Sequence, residues 1–269
     1  GTLSVFWNNG SGFFDETETA YAGIDVGDYS VPAAVDLDQN GFNDVMMGNT
    51  EGTLSLYWNM GAGEFLQDTT RFAAVDVGDT SVPAAADLNG DTRPDIVLGS
   101  SEGTVTFLSQ NADNSFTDNG LLAASGSPID VGTNAFPIAS DVNSDGHMDL
   151  VVGAYANRLS LFTNDGAGNF STTTVFDGMT LGNALVPEVG DLNGDGRPDV
   201  LVGTEDGAVK WIKQNEGGTF TNQGALQAGG VTINVGENAI PRLADVNDDG
   251  VSDLLVSNAD GRLFLFTND

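Results

Sequence analysis

Asp141-Val-Asn-Ser-Asp-Gly-His-Met-Asp149 places side-chain oxygens at loop positions 1, 3, 5 and 9. In a tightly curled loop such alternating side chains converge on one point, and an all-oxygen set there suits a hard cation such as calcium. The pattern recurs at Asp36-Leu-Asp-Gln-Asn-Gly-Phe-Asn-Asp44, Asp87-Leu-Asn-Gly-Asp-Thr-Arg-Pro-Asp95, Asp191-Leu-Asn-Gly-Asp-Gly-Arg-Pro-Asp199 and Asp245-Val-Asn-Asp-Asp-Gly-Val-Ser-Asp253, at spacings of 50 to 54 residues. One chemical device repeated once per structural unit reports fold and chemistry together.

The candidate ligands follow from those positions. They are Asp36, Asp38, Asn40 and Asp44; Asp87, Asn89, Asp91 and Asp95; Asp141, Asn143, Asp145 and Asp149; Asp191, Asn193, Asp195 and Asp199; and Asp245, Asn247, Asp249 and Asp253. Position 7 offers a backbone carbonyl from Phe42, Arg93, His147, Arg197 or Val251. Glycine at position 6 permits the sharp bend, as in EF-hand loops. These are not EF-hands, because position 12 lacks glutamate (Met47 in the first loop) and no helix pattern flanks them. The second loop carries Thr92 where glycine is expected, which predicts backbone strain and the weakest site; the first has Asn40 at position 5.

Working outward from the loops exposes a longer unit. A proline stands four residues before each loop, at Pro32, Pro83, Pro137, Pro187 and Pro241. Lacking an N–H, these residues are expected at the start of the innermost strand. An apolar run follows each loop: Val45-Met-Met, Ile96-Val-Leu, Leu150-Val-Val, Val200-Leu-Val and Leu254-Leu-Val. Four runs end in glycine and the last in Ser257. An alternating segment comes next, such as Leu54-Ser-Leu-Tyr-Trp58 or Leu159-Ser-Leu-Phe162, then a Gly-rich turn and a variable stretch. Short runs rich in Val, Leu and aromatics between Gly, Asn and Asp read as strands. The continuous run suits a strand buried on both faces, and the alternating one a strand nearer the outside. Four short strands in about 50 residues, five times over, predict an all-β, five-bladed β-propeller with four antiparallel strands and one calcium loop per blade. An open solenoid of the same period is the competing architecture.

The run proline–x–x–x–Asp–x–Asn–x–Asp–Gly–x–x–Asp, then three apolar residues and glycine, resembles the FG-GAP/VCBS repeat family of calcium-binding propeller blades. The resemblance spans the chain and fits the bacterial branch better than integrin α-subunit heads, since the literal Phe-Gly and Gly-Ala-Pro dipeptides and the cysteines are absent. It implies a fold and about five calcium ions, one per loop, and says little about activity.

Composition bounds the rest. At 269 residues the chain can form a single domain over 1–269, with the N-terminal segment 1–26 supplying the fourth strand of the last blade. That arrangement leaves a surplus terminal strand open to head-to-tail self-assembly. Thirty-nine acids against 8 bases give a net charge of −31, which makes nucleic acid and anionic membrane poor partners. No run of apolar residues is long enough to span a membrane, so no insertion is expected. With no cysteine there are neither disulfides nor thiolate metal sites. The single histidine, His147, reads as an exposed loop residue, and no nucleophile–base set or phosphate-binding loop stands out. Trp7, Trp58 and Trp211 recur on the alternating strand and read as blade-to-blade packing. Asn9-Gly-Ser11 and Asn169-Phe-Ser171 match the short glycosylation acceptor pattern. The expectation is therefore a non-catalytic, extracellular, secreted or cell-surface module for adhesion, appendage assembly or ligand display, with a protein or glycan partner. The alternative is a carbohydrate-binding or polysaccharide-degrading propeller.

Overall fold

The computed structural model describes residues 28–268 and the backbone of two short N-terminal strands, β1 (Phe6–Asn8) and β2 (Phe14–Glu16). Every blade opens with an innermost strand that ends at the acidic loop. The apolar run follows as the second strand and the alternating segment as the third, and in blades 1 to 4 a more polar strand closes the outside.

Blade 1 comprises β3 (Val31–Val35), β4 (Asp44–Gly48), β5 (Leu54–Asn59) and β6 (Phe65–Asp68), paired antiparallel in that order. Blade 2 comprises β7 (Val82–Ala86), β8 (Asp95–Gly99), β9 (Val105–Gln110) and β10 (Phe116–Leu121), and sends out a small excursion, β11 (Ala123–Ala124) and β12 (Ser127–Pro128). Blade 3 comprises β13 (Phe136–Ser140), β14 (Asp149–Ala154), β15 (Arg158–Asn164) and β16 (Phe170–Thr172), and that excursion joins its outer edge. Blade 4 comprises β17 (Val186–Gly190), β18 (Asp199–Gly203), β19 (Val209–Gln214) and β20 (Phe220–Ala225), with a second excursion, β21 (Gln227–Ala228) and β22 (Val231–Thr232). Blade 5 shows three strands among the described residues, β23 (Ile240–Ala244), β24 (Asp253–Ser257) and β25 (Leu263–Phe266). The innermost strands pack in sequence, β3 on β7, β7 on β13, β13 on β17 and β17 on β23. This is a five-bladed β-propeller.

The continuous apolar runs have the expected cause. On β8, Ile96 and Leu98 point into the core shared with blade 1, while Val97 points into the core shared with blade 3. A central strand sandwiched between two neighbours needs apolar residues on both faces. Four interblade cores result, joining blades 1–2, 2–3, 3–4 and 4–5. Each proline is the second residue of its innermost strand, one position inside the expected start, and that strand is paired on one side only. The missing N–H is accommodated on the unpaired edge.

Trp58 and Trp211 pack against the blade 1–2 and blade 4–5 cores. Trp7 lies in β1, whose side chains fall outside the described residues, as does Asn9 of one glycosylation pattern. Most of segment 1–26, expected to complete blade 5, also falls outside them; the two stretches described pair with each other.

Candidate cation loops

All five loops join the first and second strands of their blades, so the topology sets them in equivalent places around the ring. Their shape comes from two left-handed residues. Position 4 has a positive φ in every loop (Gln39, Gly90, Ser144, Gly194, Asp248), and so does position 6 (Gly41, Thr92, Gly146, Gly196, Gly250). Thr92 sits at φ 71°, a costly conformation for a β-branched residue, so the strain expected of the second loop is present. The left-handed position 4 has no sequence signature, since five loops fill it with four residue types.

The carboxylates organise this bend through the backbone. Asp141 accepts the N–H of Asp145 at 3.0 Å and of Gly146 at 2.9 Å, while Asn143 and Asp145 accept from positions 5 and 7. The other loops repeat the scheme, with Asp36, Asp87, Asp191 and Asp245 receiving the position-6 N–H at 2.7–2.8 Å. The position-9 aspartates, Asp44, Asp95, Asp149, Asp199 and Asp253, are fully buried. One Asp149 oxygen accepts from Val142 N–H, and the other from Asn164 N–H at the far end of β15. Burial pushes the carboxyls of Asp44 and Asp149 above the ordinary range and that of Asp95 up to about 6, against the pull of those two backbone donors.

The loops differ in what balances their charge. In the first, oxygens of Asp36, Asp38 and Asp44 lie within 4.8 Å of one another, the one such convergence of three acids among the described residues. In the second, the Arg93 guanidinium folds onto Asp91. In the fourth, Arg197 and Lys213 reach Asp195 at 2.5 and 3.1 Å, and Trp211 Nε1 donates to Asp199 at 2.9 Å. His147 is exposed and stands against Gly166 of the neighbouring turn. In each loop the position-1 aspartate accepts the position-6 N–H, so the bend is organised alike, but three acids converge within 4.8 Å only in the first loop among the described residues. The hard-oxygen chemistry of that set fits a divalent cation.

A set of residues not foreseen links the loops to each other. Fifteen residues after position 9 stands an amide, Asn59, Gln110, Asn164 or Gln214 as the last residue of the third strand, and Asn268 just past β25. Its side chain reaches the position-2 carbonyl of the preceding blade's loop: Gln110 to Leu37 at 2.7 Å, Asn164 to Leu88 at 2.9 Å, Gln214 to Val142 at 2.6 Å and Asn268 to Leu192 at 3.3 Å. The invariant spacing was the available signal. Away from the loops, a shallow cleft of about 460 Å³ opens between the blade 2 excursion and blade 3, lined by Phe107, Asn119, Leu121, Ser125 and Asn169.

A sequence model of FG-GAP-like repeats matches residues 36–98, 141–202 and 191–256. No curated protein matches in sequence. Among solved structures, an Agrocybe aegerita lectin that recognises non-reducing terminal N-acetylglucosamine is similar over 100% of this chain and 75% of its own, at 20% identity and TM-score 0.54. AofleA from Arthrobotrys oligospora is similar over 98% and 75%, at 12% identity and TM-score 0.61. The Photorhabdus luminescens Tc holotoxin pore is similar over 97% of this chain and 12% of that one, at 19% identity and TM-score 0.50. At these identities the likeness is one of fold.

Proposed function

Because this chain belongs to the FG-GAP-like repeat family, we propose that it is a non-catalytic, calcium-stabilised propeller that displays ligand-binding or adhesive surfaces outside the cell. The observation that carries this reading is the fivefold loop: oxygen-bearing residues at positions 1, 3 and 5 in each blade, followed by a fully buried aspartate at position 9. A calcium ion would be held by those side chains and by the carbonyl of position 7. It would add counter-charge to the acidic bend, which in the second and fourth loops also meets Arg93, Arg197 and Lys213. Binding to the folded state alone stabilises by about 2.7 kcal/mol per site at one hundred times Kd. Loops of extracellular modules bind at roughly 10⁻⁴ to 10⁻³ M, so saturation requires the calcium levels found outside cells. The surplus of acids over bases accords with a solvated extracellular surface. No helix among the described residues is long and apolar enough to cross a membrane.

Metal analysis after equilibration with calcium should give close to five ions per chain, and a chelator should lower the melting temperature. A stoichiometry of one or none would overturn the reading.

The cleft beside blade 3 favours a second reading, a glycan-binding propeller. Phe107 and Leu121 offer an apolar wall, while Asn119, Ser125 and Asn169 offer amide and hydroxyl groups, a mixture suited to a sugar ring. The Agrocybe aegerita lectin of similar fold supports this second reading. A glycan array run with and without calcium separates the readings, and Asn119→Ala should abolish any signal that arises in this cleft.

A further inference from the structure

The amides that reach from one blade to the loop of the preceding one belong to a longer series of hydrogen bonds. In the first loop, Leu37 at position 2 gives its N–H to Asp44 Oδ2 at 2.9 Å, and its carbonyl takes the Gln110 side chain at 2.7 Å. Gln110 N–H donates to Asp95 Oδ1 at 2.9 Å. The other Asp95 oxygen accepts Leu88 N–H at 3.1 Å, and the Leu88 carbonyl takes the Asn164 side chain at 2.9 Å. Asn164 N–H donates to Asp149 Oδ1 at 2.9 Å, and Asp149 Oδ2 accepts Val142 N–H at 3.2 Å. The Val142 carbonyl takes the Gln214 side chain at 2.6 Å, and Gln214 N–H reaches Asp199 Oδ1 at 2.8 Å. Carboxylate, peptide and amide thus alternate without a break from the first loop to the fourth.

Every residue of the series is buried. Water does not compete for these bonds, and in a buried polar chain each bond orients and polarises the next. The series also touches each loop where its shape is decided. Position 9 is a candidate ligand, and the position-2 peptide stands between the candidate ligands at positions 1 and 3. One loop's ligand is therefore tied to the peptide that carries two ligands of the preceding loop.

The amide residue is fastened to its own loop a second time, by one of two means. In blade 3 the Asn164 side chain also donates to the carbonyl of Met148, at position 8, at 3.0 Å. In blades 2 and 4 the position-7 arginine does this work. Arg93 Nε donates to the Gln110 carbonyl at 3.2 Å and Arg197 Nε to the Gln214 carbonyl at 3.5 Å, while the two guanidinium groups hold Asp91 and Asp195 at position 5. The residue types follow this division: glutamine stands with Arg93 and Arg197, asparagine with Phe42, His147 and Val251. Different side chains give the same two-sided connection.

We propose that Gln110, Asn164 and Gln214 are positioning residues that couple the loops, so that calcium occupancy of one raises the affinity of its neighbours and the first four load cooperatively. The inference rests on the calcium reading above. Ligation of a position-9 carboxylate holds the residue that donates to it, and through that amide the position-2 peptide of the preceding loop. The neighbouring bend then has less freedom to lose on binding. Coupling of this kind is reciprocal, so each link acts in both directions along the series.

Amide exchange at each loop, followed through a calcium titration of the metal-stripped full chain, tests this. The first four loops should gain protection together, over a narrower range of calcium than independent sites allow. Asp145→Ala disables the third loop at an exposed side chain that takes no part in the series. The calcium midpoints of the second and fourth loops should then rise about 5-fold or more. Asn164→Leu keeps the shape of the side chain but not its donors. It should make the second loop indifferent to Asp145→Ala while the fourth still responds. Gln214→Met cuts the link between the third and fourth loops in the same way, and serves if Asn164→Leu does not fold. Midpoints unmoved by Asp145→Ala would overturn the proposal, and so would a shift that survives the cut at its own link. A chain that takes up no calcium, by calorimetry as by exchange, would overturn the calcium reading and the coupling with it; independent uptake would overturn the coupling alone.

Discussion

Asp68 shows how far one side chain can be committed in this fold. It closes β6 and accepts from Thr70 N–H at 2.9 Å, Thr70 Oγ at 2.8 Å, Arg71 N–H at 3.0 Å and Arg71 Nε at 3.1 Å. Burial pushes its carboxyl up, but those four donors together outweigh burial and hold it well below the usual carboxylate range. The same oxygens receive Trp58 Nε1, whose ring lies 5.0 Å beneath the Arg71 guanidinium. A carboxyl depressed in the fold stabilises it above the unfolded-state pKa of about 4, and that stabilisation fades as pH falls further toward the folded value. Asp68→Asn should therefore cost about 1–2 kcal/mol at neutral pH and progressively less below about pH 4. Urea midpoints at several pH values check this; an equal deficit throughout would deny the carboxylate that role. None of this was legible beforehand, because Asp68 lies in the variable stretch and its partners are set by a local turn without a repeat signature. The loop ligands were legible because spacing alone dictates convergence. Position 4 of each loop was not, since its left-handed backbone is imposed by carboxylates on either side rather than by its own residue type.

The second strand is the element on which each blade depends. β14 buries Leu150 and Val152 toward blade 2 and Val151 toward blade 4, so its apolar run could be assigned from sequence without ambiguity. Gly153, its penultimate residue, does a separate job, letting the next blade's backbone approach within touching distance. Gly153→Ala would place a Cβ 2.1 Å from Leu185 O and 2.9 Å from Pro187 Cδ. Both are held by the blade 3–4 contact, so the strain cannot relax into a flexible side chain; the expected cost is about 2–3 kcal/mol. Ser257→Gly should change stability little, because among the described residues no such contact is made at blade 5. Chemical denaturation of the two variants compares them directly, and equal losses would mean that Ser257 sits in a fifth contact of the same type. The excursions β11–β12 and β21–β22 had no sequence signal for a physical reason. They are two residues per strand, largely polar or small, and are held by backbone partners far off in sequence: Val105 and Phe170 for β11–β12, Val209 and Gly207 for β21–β22.

At the scale of the whole molecule, the repeat arithmetic was sufficient to read a ring of five loop-bearing blades, but not how its ends meet. The two ends are built differently from the middle. Four interblade cores hold blades 1 to 5 in series, and the amides of Gln110, Asn164, Gln214 and Asn268 add a polar clamp at each of those contacts. Glu188, buried in β17, takes Arg242 of β23 at 3.3 Å, so blade 5 is also tied to blade 4 by charge. Beyond that, β23 and β25 turn Ile240, Leu263 and Leu265 toward solvent, and β3 leaves Pro32 and Ala34 exposed. Local opening follows the number of buried neighbours an element must give up, so protection should be graded along the series. Amide hydrogen exchange should be slowest in β8, β14 and β18, whose residues are all buried, and fastest among blade strands in β3 and β25. Calcium should slow exchange around all five loops. Uniform protection across the blades would mean that β3 and β25 are covered in solution by segments of the same chain.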